Sequence, residues 1–243
     1  MQRYFLTKDN FERNIIAGDD VFHILKVMRN KVGDLLEVCY DNCAYIVKIS
    51  AISNDFVEYE IVEELTKKTQ NKPKITLIQG LAKGDKNDDI IKHGTELGVD
   101  EIILLQMKRS IVKIETNKIE NKLSRYNKIA KEAAEQSHRN SIPTVGLVTN
   151  INHLNFESYD LKLLLDEEEA KKIDGRLLSS IEFENIKNVI FVIGPEGGID
   201  EGERNFYLNN GFIPVSIGNN ILRTETASLA FLAMLNYIYM ERN

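Results

Sequence analysis

The spacing of apolar residues changes character near residue 70. Before it, residues 35–40 and 44–52 read as short strands joined across Asp41-Asn42-Cys43, where Asp and Asn suit a tight turn. After Asn54-Asp55 comes a run in which Phe56, Glu58 and Glu60 alternate with Val57, Tyr59 and Ile61. A period of two is the signature of a half-buried strand, and a meander of such strands predicts a small barrel. Residues 23–29 interrupt this pattern with a helical turn or two. Residues 65–73 are polar, end on Pro73 and read as a linker, which divides the chain into domains 1–70 and 71–243.

Beyond the linker, short apolar runs recur at 75–79, 102–106, 145–148, 161–165, 189–193 and 213–217. Several are apolar almost throughout, as strands covered on both faces are. Helical stretches at 88–97, 117–136 and 202–209 lie between many of them. Strands alternating with helices predict an α/β domain with a mostly parallel sheet. The last helix, 225–240, carries one apolar stripe of Ala227, Phe231, Met234 and Ile238 and another of Leu229, Leu232, Leu235 and Tyr239. A helix with no polar face must be covered on two sides. The sheet supplies one cover, and a second subunit is the expected other.

Composition narrows the partners. The formal net charge of −6 argues against a general polyanion binder, since such affinity comes from Lys and Arg neutralising phosphates. Residues 108–142 nonetheless hold nine Lys or Arg against four Glu, so any RNA-attracting field would arise there. Cys39 and Cys43, the only two cysteines, lack clustered histidines and read as reduced thiols, with no metal site expected. The chain shows neither a basic start followed by an apolar run nor a stretch long enough to span a bilayer, so a cytoplasmic location is expected.

Three loops carry the candidate chemistry. The run 189–193 enters Gly194-Pro195-Glu196-Gly197-Gly198, and Asp200 with Glu203 then fits a helix-starting capping box. Glycines let a ligand approach the backbone, although the same loop serves as a plain strand-to-helix turn. The spacing matches neither the dinucleotide fingerprint nor the P-loop. The second loop runs Gly218-Asn219-Asn220-Ile221-Leu222-Arg223-Thr224-Glu225-Thr226-Ala227. Thr224 reads as a helix N-cap, while Ile221 and Leu222, apolar in a loop, suit packing against a flat ring such as adenine. The third, Leu165-Asp166-Glu167-Glu168-Glu169, ends another strand in acids, a pattern that most often marks a solvated face. Three loops leaving strand C-terminal ends form a natural ligand site.

The glycine loop, together with Ile217-Gly218 and the segment Ile221 to Ala227, resembles the SPOUT methyltransferases, and within them the RsmE family, which methylates uracil N3 in 16S ribosomal RNA. Nearly the whole chain takes part. His23-Ile24-Leu25-Lys26-Val27-Met28-Arg29 with Gly33-Asp34 resembles the family's N-terminal signature. Lys83-Gly84-Asp85-Lys86, Thr95-Glu96-Leu97-Gly98, Arg109-Ser110 and Glu132-Ala133-Ala134-Glu135-Gln136-Ser137 with Arg139 and Pro143 resemble its middle motifs. The chain departs from the pattern at Asn220 and His93, where the family often has basic residues.

The resemblance implies a PUA-like RNA-binding barrel, a trefoil-knotted α/β domain, a homodimer, and S-adenosylmethionine as cofactor. It places Leu165, Gly194, Glu196, Gly198, Ile217, Gly218, Leu222, Arg223, Thr224 and Thr226 around that cofactor. Arg29, Lys83, Lys86, Arg109, Arg125, His138 and Arg139 are the expected contacts to ribosomal RNA of the small subunit. Uracil N3 must lose a proton to become a nucleophile, so a cation aimed at the developing anion would assist, and Arg223 is the candidate. Glu196, Glu225 and His138 stay open as the base. Two alternatives belong to other classes: a non-catalytic RNA-binding factor for ribosome assembly, and a nucleotide-dependent oxidoreductase, which the missing dinucleotide fingerprint disfavours.

Overall fold

A computed structural model describes residues 1–65, 72–172 and 177–240, in two compact units. The first unit contains Met1–Thr69 and Ala134–Ile142; the second contains Gln70–Ala133 and Pro143–Asn243. The expected linker mostly lies outside the described residues, and Leu65 itself still belongs to a strand.

In the first unit, β1 (Arg3–Phe5), α1 (Lys8–Glu12), β2 (Ile15–Ala17) and α2 (Asp19–Phe22) lead into a π-helical turn, His23–Val27. Three longer strands follow: β3 (Leu35–Tyr40), β4 (Cys43–Ile52) and β5 (Phe56–Leu65). Together they form a five-stranded sheet of order β1-β3-β4-β5-β2. Asp41 and Asn42 both take positive φ between β3 and β4, the backbone that a two-residue hairpin with a right-handed twist requires. The alternation expected in β5 buries Val57 and Tyr59, but Ile61 is 47% exposed. Register shifts between β4 and β5 at Ile46/Val47 and Ile49/Ala51 accompany the change. Tyr4, Ile16, Ile24, Leu36, Val38 and Val47 are among the residues of the core.

A charged cluster closes one side of this unit. Arg3, only 3% exposed, donates through Nε and Nη2 to Glu37 Oε2 at 2.8 and 2.6 Å. Its Nη1 reaches the carbonyls of His138 and Arg139 and Asn140 Oδ1, at 2.6, 2.8 and 2.8 Å. His138 Nδ1 lies 3.1 Å from the same Glu37 oxygen. Segment 134–142 is therefore held by a buried guanidinium. Cys39 and Cys43 form no disulfide, and the Cys39 thiol lies 3.9 Å from the Arg139 carbonyl.

The second unit is a six-stranded sheet, parallel at every pairing, of order β11-β9-β10-β6-β7-β8. Its strands are β6 (Lys74–Gly80), β7 (Glu101–Leu105), β8 (Thr144–Val148), β9 (Leu161–Leu165), β10 (Asn188–Ile193) and β11 (Ile213–Val215). Helices α3 (Lys86–Glu96), α4 (Ile119–Gln136), α5 (Glu167–Lys171), α6 (Glu201–Asn209) and α7 (Thr224–Met240) accompany them. Side chains alternate across the sheet. Ile190 and Val192 face a cluster with Phe156, Tyr207 and Phe212, while Phe191 meets Phe231 of α7 with ring centroids 4.5 Å apart. On α7, Phe231, Leu232 and Leu235 are fully buried, whereas Tyr237 is 62% exposed.

Order reverses between β6 and β10. From β6 the chain steps outward through β7 to β8; β10 instead pairs with the opposite side of β6 and is followed outward by β9 and β11. Loops leaving the strand C-termini diverge at such a point and open a crevice.

Candidate functional site

That crevice contains a cavity of about 1030 Å³, lined by the ends of β9, β10 and β11, the start of α7, and Lys83, Lys86 and Arg109. Apolar walls come from Leu165, Ile193, Ile199, Val215, Ile217, Ile221 and Leu222. Ile221 and Leu222 are 62% and 37% exposed, so this loop does present bare apolar surface.

The glycine loop is positioned from beneath. A Cβ on Gly80, at the end of β6, would lie 2.5 Å from Pro195, so the strand end and the loop are in direct backbone contact. Gly198 takes φ +72, and a Cβ there would meet Glu167 Oε1 at 2.9 Å. Arg109 lies against the loop, donating to the Gly197 carbonyl at 3.3 Å.

A buried hydrogen-bond chain joins this loop to the second one. Gln79 donates to Thr224 Oγ1 at 2.7 Å, and Thr224 Oγ1 donates to the Gly194 carbonyl at 2.6 Å. Ser228 Oγ donates to Gln79 Oε1 at 2.5 Å. Thr224 thus corrects the expected N-cap: its hydroxyl binds the neighbouring loop instead of a backbone amide of its own helix. The signal was present in the sequence as Gln79 at the end of the apolar run 75–79 and hydroxyls at i and i+4 of an apolar helix.

The acid-rich third loop is more than a solvated face. Asp166, 7% exposed, caps α5 through the Glu168 amide at 3.0 Å and accepts from Arg204 Nε at 2.6 Å. Its backbone amide donates to Val215 at 3.1 Å. One residue therefore fixes β9, α6 and β11 around the cavity, and pattern reading had singled out neither Asp166 nor Arg204 for the site. The expected capping box is half made: Asp200 accepts from the Gly202 amide at 3.1 Å, but Glu203 takes the Lys108 amide at 2.8 Å.

Charge is organised on the opposite wall. Lys86 Nζ lies 3.2 Å from Glu196 Oε1 and 3.0 Å from Glu225 Oε2. Burial by itself would raise the Glu196 carboxyl. Backbone amides of Glu196 and Lys83 and the Lys86 ammonium outweigh it, holding the group below its ordinary value. Glu225 follows the same balance, with burial opposed by its own amide, Lys86 and Arg223. The Glu225 hydrogen bond, against burial, raises Lys86. All three stay charged at neutral pH, and both carboxylates are weak bases. Glu196 Oε2 is buried without a hydrogen-bond partner among the described residues. Arg223 lines the cavity; its carbonyl accepts from the Ala227 amide at 2.8 Å, and its side chain acts on Glu225 through charge, without a hydrogen bond or salt bridge among the described residues.

Of the residues expected at the cofactor, Leu165, Gly194, Glu196, Gly198, Ile217, Leu222, Arg223 and Thr224 line the cavity. Gly218 and Thr226 do not. Gly218 turns back on Ser216, whose hydroxyl donates to its carbonyl at 2.6 Å, and Thr226 lies exposed two residues into α7, off the face that carries Thr224. Of the expected RNA contacts, Lys83, Lys86 and Arg109 line the same cavity. Arg125 is on α4, ion-paired with Asp88. Arg29, His138 and Arg139 belong to the first unit. Lys86 is spent on two carboxylates, which a local reading of charge could not anticipate. Among the described residues no group of His, Cys, Asp and Glu could hold a metal ion, and no helix is long and apolar enough to cross a membrane.

A ligand crevice at the switch point of a parallel sheet, walled by three loops, defines an α/β protein that binds its ligand at the carboxyl ends of the strands. Residues 69–236 match the family described as RNA methyltransferase domain. Ribosomal RNA small subunit methyltransferase E of Bacillus subtilis (strain 168) is 36% identical, over 98% of this chain and 96% of that protein. The protein of the same name from Buchnera aphidicola subsp. Acyrthosiphon pisum is 30% identical, over 98% and 89%. A crystal structure of ribosomal RNA small subunit methyltransferase E from Neisseria gonorrhoeae bound to S-adenosyl methionine superposes with a TM-score of 0.84 at 29% identity, covering 98% of both chains. The chain belongs to the ribosomal RNA small subunit methyltransferase E family. That membership sets the oxidoreductase alternative aside.

Proposed function

We propose that the chain transfers a methyl group from S-adenosylmethionine to N3 of a uracil in the 16S ribosomal RNA of the small ribosomal subunit. The observation that carries this reading is the convergence of three loops on one cavity of about 1030 Å³, the size and mixed lining that a nucleoside-bearing ligand needs. The cavity fits the donor chemically. Ile221 and Leu222 offer apolar surface to a purine, and Glu196 Oε2, without a hydrogen-bond partner among the described residues, offers an acceptor for a hydroxyl or ammonium. Leu165, Gly194, Gly198, Ile217 and Thr224 would enclose the rest.

Bound there, the donor supplies an electrophilic methyl on a sulfonium. The chain's residues must align the uracil and stabilise its N3 anion. Arg223 is suited to the second task, because it lines the cavity and forms no salt bridge among the described residues, Glu225 feeling it only through charge. Lys86 is less suited, since Glu196 and Glu225 already surround it. The depressed carboxylates disfavour either as a strong general base, and His138 Nδ1 faces Glu37 in the first unit. Alignment and anion stabilisation then carry most of the rate. The base must leave its stack to enter the cavity.

The same reading takes residues 1–70 as a PUA-like RNA-binding barrel, residues 71–243 as a trefoil-knotted methyltransferase domain, and the working species as a cytoplasmic homodimer. The exposed Met234 and Tyr237 of α7 support the last. Arg223→Ala is expected to lower methyl transfer to small-subunit RNA at least about 100-fold, with thermal melting unchanged. Methyl transfer at the wild-type rate would refute the role. Calorimetry separates the alternative: a wild type that gives no heat with S-adenosylmethionine is a non-catalytic RNA-binding assembly factor. Loss of N3-methyluridine from ribosomal RNA of cells lacking the gene would fix the target.

A further inference from the structure

Two charged side chains from separate loops meet over the glycine loop of the second unit without pairing to each other. Arg109 follows β7, Glu167 follows β9, and these strands stand on opposite sides of the central β10-β6 pair. A Cβ on Gly198 would stand 2.9 Å from Glu167 Oε1 and 3.8 Å from Arg109 Nη1. Both tips therefore converge on the space above one glycine, yet no salt bridge joins them among the described residues. All three residues line the cavity.

The backbones behind both tips are fixed. A Cβ on Gly197 would meet the Arg109 carbonyl oxygen at 3.0 Å and the Arg109 Cβ at 3.1 Å, so the turn after β7 is pressed against the glycine loop. Glu203 Oε1 accepts from the Lys108 amide at 2.8 Å, and Ser110 Oγ accepts from the Met107 amide at 3.1 Å. On the other side, Asp166 caps the short helix that begins with Glu167. The charged ends are less committed. Arg109 Nη1 donates to the Gly197 carbonyl at 3.3 Å, and its Nε stands 3.9 Å from Asp200 Oδ2. Glu167 Oε1 stands 3.9 Å from Lys171 Nζ. Glu168 and Asp200, close by, are better engaged, with Lys171 at 2.6 Å and Lys108 at 2.9 Å. Long pairs between half-exposed side chains hold little energy, so a ligand can displace them.

Resting on the proposed function, we infer that Arg109 and Glu167 together receive the zwitterionic α-amino acid end of the methyl donor, the guanidinium taking its carboxylate and the Glu167 carboxylate its ammonium. An anion alone, such as an RNA phosphate, would be drawn to Arg109 and repelled by Glu167, and a cation alone would meet the reverse. A group that carries both charges on one short frame satisfies both side chains, through charge-assisted hydrogen bonds of about 2.8 Å at each end. Gly198 keeps the space between them open, since any side chain there would fill it. The assignment moves Arg109 from the expected RNA contacts to the donor.

Calorimetry of the full-length protein with three ligands tests this: S-adenosylmethionine, its decarboxylated form, and 5′-methylthioadenosine, which lacks the amino acid end entirely. Arg109→Met should weaken binding of S-adenosylmethionine about tenfold and leave the decarboxylated form without loss. Glu167→Gln should weaken both ammonium-bearing ligands about five- to tenfold. Neither change should alter affinity for 5′-methylthioadenosine, whose constancy shows that the glycine loop has kept its shape. Losses shared equally by all three ligands would make the pair a brace for the loop and overturn the inference. Variants that bind the donor as wild type does would overturn it too, including any whose sole defect is in RNA affinity. A wild type that binds none of the three removes the functional reading itself, a different outcome from the others.

Discussion

Each unit holds a cation between acceptors, and the two arrangements differ in what they leave over. In the first unit, Arg3 is buried and satisfied by Glu37, two carbonyls and Asn140. In the second, Lys86 shares two carboxylates that stand about one-fifth exposed at a cavity wall, and one Glu196 oxygen has no partner among the described residues. A closed buried cluster holds chain segments together. An open one, with charge and an acceptor in reserve, is prepared for something that is not part of the chain.

The comparison can be broken by substitution. The largest effect is expected from Arg3→Met, which leaves Glu37 buried without its partner and should cost about 3–5 kcal/mol in urea unfolding. Arg3→Met/Glu37→Leu should recover most of it, and a loss below about 1 kcal/mol in the single variant would mean that the cluster is incidental. Thr224→Val is intermediate. It strips a partner from both Gln79 and Gly194 in a buried chain, for about 1–3 kcal/mol, and loosens the loop so that donor affinity falls as well. Lys86→Met should cost no more than about 1 kcal/mol in stability, because the pair is partly solvated. Its effect should appear as altered donor or RNA affinity, which makes the two clusters distinguishable by assay.

Acidification gives the finest test. Burial would raise Glu37, but hydrogen bonds from Arg3 and His138 hold it below its ordinary value. Its folded pKa is therefore below the unfolded value of about 4.3. The stabilisation is complete above that pH and is lost as pH falls through the folded pKa. In Arg3→Met burial acts with less opposition, so this acid-side loss should shrink or change sign. Urea midpoints measured between about pH 3 and pH 5 read the difference, and superimposable profiles would exclude Glu37 as the group responsible.

Local chemistry is legible in the sequence. The boundaries of β3 and β9, the Asp41-Asn42 turn and the buried face of β10 follow from alternation, turn residues and apolar runs. The run 213–217 overshot β11, which ends at Val215 because the Ser216 hydroxyl turns the chain toward Gly218. The unreadable part consists of partners distant along the chain. Asp166 meets Arg204, 38 residues away, and Arg3 meets His138, 135 residues away. A charge read in its own neighbourhood looks solvated, and only the fold reveals that it is spoken for. Segment 134–142 joined the first unit for the same reason.

Gly80 sets a limit of another kind. With Pro195 filling the space where its side chain would stand, even one added methyl group must push the glycine loop aside. The position therefore works as a natural adjustment screw. Gly80→Ala is the smallest available shim, and anyone wishing to resize this pocket for a bulkier donor analogue could start under the floor, leaving every lining side chain as it is.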